Sequence, residues 1–183
     1  VDINHLHSRD VRSRVGVVLQ DFHIFSGTIL DNIRLGDPTI TRDIAVAAAK
    51  TVNAHGFISA QRDGYDTLLQ ERGSNLSQGE RQLLAFARVL AADPEVLVLD
   101  EATASIDTET ELLIQDGLEK LMTDRTAILI AHRLQTIQQA DKVLVLQSGE
   151  VIEYGSQQEL LELKGLYHTL HELQFQDLKT VPG

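Results

Sequence analysis

The sequence contains no cysteine, so no disulfide can staple it and no thiolate can bind a metal. It has no apolar run approaching the roughly 18 residues that a membrane helix needs, and no signal-peptide pattern opens it. Basic residues are scarce: 16 Lys and Arg stand against 27 Asp and Glu, a net charge of −11. That balance argues against a nucleic-acid partner and against an anionic membrane surface, and otherwise serves solubility. Internal repeats and low-complexity segments are absent. An initiating Met is absent too: the chain starts at Val1 and, unless processing made that start, is expected to be a piece of something longer.

What remains is ordinary globular material. At 183 residues, 43% hydrophobic and 23% charged, one domain can bury roughly two thirds of its unfolded surface. Arg14 to Gln20 (RVGVVLQ) predicts a buried strand. Helices are predicted from Thr28 to Leu35, stopped by Gly36-Asp37-Pro38, from Thr41 to Asn53, and from Ala54 to Gln61. Gly64 to Gly73 reads as loop with at most one strand turn. NLSQGERQ, Asn75 to Gln82, opens an apolar helix through Ala91, which Asp93-Pro94 should end.

Val96 to Asp107, VLVLDEATASID, is the organising stretch: a continuous apolar strand that delivers Asp100 and Glu101 and breaks into a small-residue loop. Asp107 is placed as the N-cap of a helix to Met122. TAILIA, Thr126 to Ala131, is a second continuous strand and ends at His132. Two runs flanking Ser148-Gly149 predict a hairpin. Ser156 with Glu159 predicts a capping box. Uninterrupted strands alternating with helices indicate a parallel sheet covered on both faces.

Asp100 and Glu101 sit where open α/β sheets place their ligands, at the C-terminal end of a strand. Adjacent strand residues face opposite ways, so the two carboxylates divide the work: Asp100 organises Mg²⁺ and Glu101 polarises an attacking water, unless both merely cap the loop. Ser77-Gln78-Gly79-Glu80 at a helix N-terminus is either an anion site or a plain Ser-x-x-Glu capping box. His132 either touches a phosphate oxygen, or holds the water-activating group, or is a structural residue. Gln20 ends a strand, and its amide oxygen could reach a metal.

Taken in order, these ends resemble the nucleotide-binding domain of ATP-binding cassette (ABC) transporters over essentially the whole chain to about Phe175. Gln20 is similar to the Q-loop glutamine, NLSQGERQ to the LSGGQ-type signature, and VLVLDE to the Walker B strand with its catalytic glutamate. ATASID resembles the D-loop, ending at Asp107, and His132 the switch histidine. FSGTILDNI, QERGSNLSQG and DEATASID resemble exporters, in which membrane and ATPase parts are commonly fused. Glu71-Arg72-Gly73 resembles the exporter X-loop. The signature departs from the common form at Gln78 and Glu80.

The resemblance implies a RecA-like P-loop NTPase core, α/β with a mostly parallel sheet, plus an α-helical subdomain. It divides the chain into core with the Q-loop (1–26), helical subdomain with the signature (27–92), catalytic core (93–155) and C-terminal helices (156–183). It implies ATP and Mg²⁺ as ligands, hydrolysis of ATP to power export, and a site at the cytoplasmic face of a membrane. It also implies a second nucleotide-binding domain, paired head to tail as a homo- or heterodimer, and the coupling helices of a transmembrane domain. Ser77, Gln78, Gly79, Glu80 and Asp107 would then be nucleotide-binding, with Ser77 and Gly79 serving the partner's nucleotide and Gln20, Asp100, Glu101 and His132 their own.

No Gly-Lys dipeptide occurs anywhere, so the G-x-x-x-x-G-K-[ST] phosphate loop of the family is missing from these residues, together with its strand and the N-terminal β-subdomain. The fragment alone is therefore expected to be inactive. Two rivals share the fold. A chromosome-maintenance ATPase would need a long coiled coil between Gln20 and Ser77. A catalytically retired regulatory or binding module would have no reason to keep both Glu101 and His132.

Overall fold

The computed structural model describes residues 5–19, 23–70, 73–100, 107–131, 137 and 140–179, with side chains as far as residue 173. The chain divides into two compact units, Val1–Ile130 and Ala131–Gly183. The first runs α1 (Ser8–Arg14), β1 (Val15–Val18), β2 (Gly27–Thr28), α2 (Ile29–Arg34), α3 (Arg42–Thr51) and α4 (His55–Ala60). It continues with β3 (Leu68–Leu69), α5 (Gln78–Ala91), β4 (Val96–Asp100), α6 (Thr108–Met122) and β5 (Thr126–Ile130). The second holds β6 (Val143–Gln147), β7 (Glu150–Gly155), α7 (Gln157–Leu163) and α8 (Leu166–Lys179).

β1, β4 and β5 form a parallel sheet in the order β1-β4-β5, the α/β architecture the sequence implies. β1 begins one residue after the expected strand because α1 occupies the chain up to Arg14, and it pairs no further than Val18. Register places Gly16 and Val18 beside Leu97 and Leu99, and these beside Ala127 and Leu129. That face is closed: Val18, Leu97 and Leu99 are buried and Ala127 and Leu129 pack against the core. Gly16 allows the closure, since a Cβ there would come within 2.7 Å of both Pro94 Cγ and Val89 Cγ1. The opposite face differs from the expected two-sided cover. Val17, Ile128 and Ile130 are 48%, 56% and 50% exposed, and Asp100 lies in register beside Ile130 on that same face.

α5 is the hub of the first unit. Its buried residues include Leu83, Leu84, Phe86, Ala87, Val89 and Ala91, which surround the helix rather than form a stripe. A helix apolar all round must be covered all round, and α5 packs against α2, α3, α6 and β1. It stops at Ala91 as expected, but Asp93 takes the left-handed φ of 47°. Its carboxylate meets Arg125 Nη2 at 2.6 Å, while Arg125 Nε donates to Pro94 O at 3.1 Å and Nη1 to Leu121 O at 3.3 Å. One arginine thus holds the ends of α5 and α6 beside the sheet.

α3 closes on α6 by a close backbone approach. A Cβ on Gly117 would lie 2.8 Å from the Val52 carbonyl. Asn53, left-handed at φ 64°, donates from Nδ2 to Leu113 O at 2.9 Å and to Asp116 Oδ2 at 2.6 Å. Within 64–70, where loop with one strand turn is expected, lie one 3-10 turn (Gly64–Asp66) and the two-residue β3, which pairs antiparallel with β2.

In the second unit β6 and β7 form the expected hairpin. Ser148 and Gly149 both have positive φ, 53° and 84°, the signature of a turn whose twist matches the strands. Ser156 and Glu159 form the expected capping box. The Ser156 backbone N–H, its hydroxyl and Lys142 together draw the Glu159 carboxyl down to about 2. Glu153 of β7 accepts from Tyr167 N at 3.0 Å and from Leu166 N at 2.5 Å, capping α8.

Candidate functional site: the strand ends of the parallel sheet and a capped helix

The three parallel strands end at Val18, Asp100 and Ile130 on one edge of the sheet. In sequence, Gln20, Glu101 and His132 follow those ends almost at once. All three lie outside the described residues, as do Asp21, Phe22, Glu71 and Arg72. Asp100 is described, half-buried at the last position of β4. Among the described residues no group of three or more His, Cys, Asp or Glu could hold a metal ion. A single carboxylate is nevertheless the donor set that Mg²⁺ accepts when phosphates and water supply the remaining ligands.

The signature segment takes its shape from its own side chains. Ser77 Oγ accepts from Glu80 N at 3.2 Å, and the Glu80 carboxylate accepts from Ser77 N at 2.7 Å. The capping-box reading is therefore realised, and it accounts for a carboxylate at Glu80. It does not exclude an anion, because the N–H groups of the first helical residues have no intrahelical partner and the Ser77 hydroxyl keeps its proton. Ser77 and Gln78 are exposed, whereas Gly79 is buried.

Gly79 has a packing reason the sequence did not display. A Cβ there would collide with Thr110 Cγ2, on the first turn of α6, and would also touch Ile114 Cδ1. Asp107 caps that turn: its Oδ1 accepts from Thr110 N at 2.9 Å. This backbone hydrogen bond, with help from the Thr110 hydroxyl, holds the Asp107 carboxyl below its usual range. The structure thus brings Ser77 to Glu80 and Asp107 together as the starts of two touching helices, α5 and α6, while Asp100 belongs to the sheet edge. Beside those helix starts lies an open groove of about 610 Å³, lined by Lys50, Asn53, His55, Ser77, Glu80 and Thr110. Lys50, Asn53 and His55 carried no motif, and only their fold neighbours reveal them.

The sequence pattern of the ABC transporter family matches residues 1–104. An uncharacterized ABC transporter ATP-binding protein of Bacillus subtilis (strain 168), YfiC, is 51% identical over 175 residues, which is 96% of this chain and 29% of that protein. The probable multidrug resistance ABC transporter ATP-binding/permease protein YheH of the same organism is 46% identical, covering 94% of this chain and 26% of that one. Among solved structures, a bacterial Atm1-family ABC exporter with ATP bound superposes with a TM-score of 0.85 at 42% identity, over 94% of this chain and 30% of that one. The chain belongs to the ABC transporter family and has the fold of its ATPase domain. It spans under a third of the length of these relatives. No helix among the described residues is long and apolar enough to cross a membrane.

Proposed function

We propose that this chain is the ATP-binding and hydrolysing part of an ABC exporter, acting at the cytoplasmic face of a membrane. The observation that carries the reading is the likeness, at 42% identity over 94% of the chain, to an exporter whose structure holds ATP. Glu101 is the general base that draws a proton from water as it attacks the γ-phosphate in line, with His132 and Gln20 orienting the reacting groups. Asp100 holds Mg²⁺, which when bound neutralises charge developing on the phosphates. Ser77, which is exposed, and Gly79 serve the nucleotide of a second domain paired head to tail, and Gln78, Glu80 and Asp107 belong to the same nucleotide-binding set. The divisions at 26 and 92 separate the helical subdomain from the core on either side of it, and the division at 155 separates the catalytic core from the C-terminal helices. Phe25, Asp31 and Leu35 border a shallow pocket of about 230 Å³, where coupling helices of a transmembrane domain would press.

In the complete transporter, Glu101→Gln should lower Mg-ATP turnover by about a hundredfold or more while ATP still binds; unchanged turnover would sink the assignment. The 183-residue chain alone should turn over no ATP, because it lacks the lysine and backbone cradle of a phosphate loop. Robust hydrolysis by that chain, abolished by Glu101→Gln, would overturn this second expectation.

A further inference from the structure

Arg88, in the third turn of α5, is half-buried and has no part in the ATPase reading above. Its Nε donates to Asn32 O at 2.9 Å, Nη1 to His23 O at 2.9 Å, and Nη2 to Asn32 Oδ1 at 3.2 Å. The guanidinium also lies over the Phe25 ring, 5.6 Å from its centroid. These three acceptors are neutral, and burial draws the guanidinium down to about 10, so it remains charged near neutral pH. A partly desolvated cation is an expensive way to fill space. What it achieves here is directional: every one of these bonds goes to the segment from His23 to Asn32.

Asn32 is the other half of the clamp. It is 1% exposed; its Nδ2 donates to Phe25 O at 2.9 Å and Thr28 O at 3.0 Å, and its Oδ1 accepts from Phe25 N at 2.9 Å. With Arg88 Nη2 as a second donor to Oδ1, both donors and both acceptor positions of the amide are used. Asn32 shapes the turn at 25–28, and Arg88 grips the chain on either side of that turn, at His23 and at Asn32. From Ser77 to Arg88, α5 is a hydrogen-bonded rod of about 16 Å, at 1.5 Å per residue. A planar fork suits this geometry; a lysine ammonium could not span the same three oxygens.

We infer that Arg88 is a positioning residue that fastens the segment following Gln20 to the signature helix, so that displacement of His23–Asn32 is delivered to Ser77 and Gly79. The consequence for turnover rests on the ATPase reading; the fastening does not.

The test places Arg88→Lys and Arg88→Met in the complete transporter. Hydrogen exchange without nucleotide reads the fastening, and ATP turnover reads the delivery. In both variants, peptides covering 23–32 should exchange about tenfold faster or more, while those of α3 and α6 keep their rates. The kcat for ATP should fall about fivefold or more with KM within about twofold, since the nucleotide contacts themselves are untouched. Should Arg88→Met loosen α3 and α6 as well, Arg88→Lys, which keeps charge and stem, decides. Wild-type exchange over 23–32 in folded Arg88→Lys would overturn the fastening, and faster exchange with unchanged kcat would overturn the delivery. A wild-type transporter without turnover sensitive to Glu101→Gln would instead remove the ATPase reading and leave the exchange result to judge the clamp.

Discussion

The helices from α2 to α5 and the sheet β1-β4-β5 belong to one compact unit, yet they treat apolar residues differently. In the helices, Ile29, Ile33, Val52, Ile58 and Leu84 are 0% exposed, and α5 is covered on every side. In the sheet, Leu97 is equally buried while Val17, Ile128 and Ile130, on the facing side of the pleat, stay about half exposed. A strand has two faces of opposite direction, so an uninterrupted apolar run calls for two covering layers. One layer is present among the described residues. The helical block is complete as it stands; the sheet is finished on one side.

Four experiments break or sharpen that contrast. The largest effect is expected from Phe86→Ala, the largest fully buried side chain in the helical block: about 3 to 5 kcal/mol, read from the denaturant midpoint. A loss below about 1 kcal/mol would mean that the block is loosely packed. Gly79→Ala should cost about 1 to 3 kcal/mol by forcing α5 away from Thr110; Thr110→Ser alongside it should return part of the loss, and no recovery would refute the contact. Ser77→Ala removes one half of a capping box and should cost about 1 kcal/mol. Smallest in stability, within about 0.5 kcal/mol, is Ile128→Thr with Ile130→Thr on the open sheet face. Sedimentation should nevertheless show the 183-residue chain self-associating and the double variant shifted toward monomer. A monomeric parent chain would contradict the idea that this face seeks cover.

In the second unit, Glu159 adds a pH signature. Its folded value, about 2, lies below the ordinary carboxyl value of 4.5. Its contribution is thus full above about pH 4.5 and fades as pH falls toward 2. Glu159→Gln should flatten acid unfolding in that window; an unchanged acid limb would show that the capping box is not linked to stability.

Several elements could be read from residues three or four apart. Ser77-Glu80 and Ser156-Glu159 announced their helix starts, Ser148-Gly149 its hairpin, and Asp107 its cap, because each device is built within a single turn. The third capping box, Thr28 with Asp31, follows the same spacing but was hidden by the short acidic partner. The early helix α1 had no apolar stripe to reveal it: none of its residues is buried. Gly79 was legible as a glycine at a helix start, suited to an anion. That it also admits Thr110 depends on a residue 31 positions away, which no local pattern carries.

Local chemistry alone therefore dictated the helix caps, the turn, the apolar strands and the carboxylate at the end of β4, since these are written in neighbouring residues. Only the tertiary structure decided that α5 and α6 touch at their first turns, that Arg88 clasps the turn shaped by Asn32, and that one face of the sheet is closed and the other open. Those outcomes depend on which surfaces approach within a few ångströms, and that is set by packing between segments far apart in the chain.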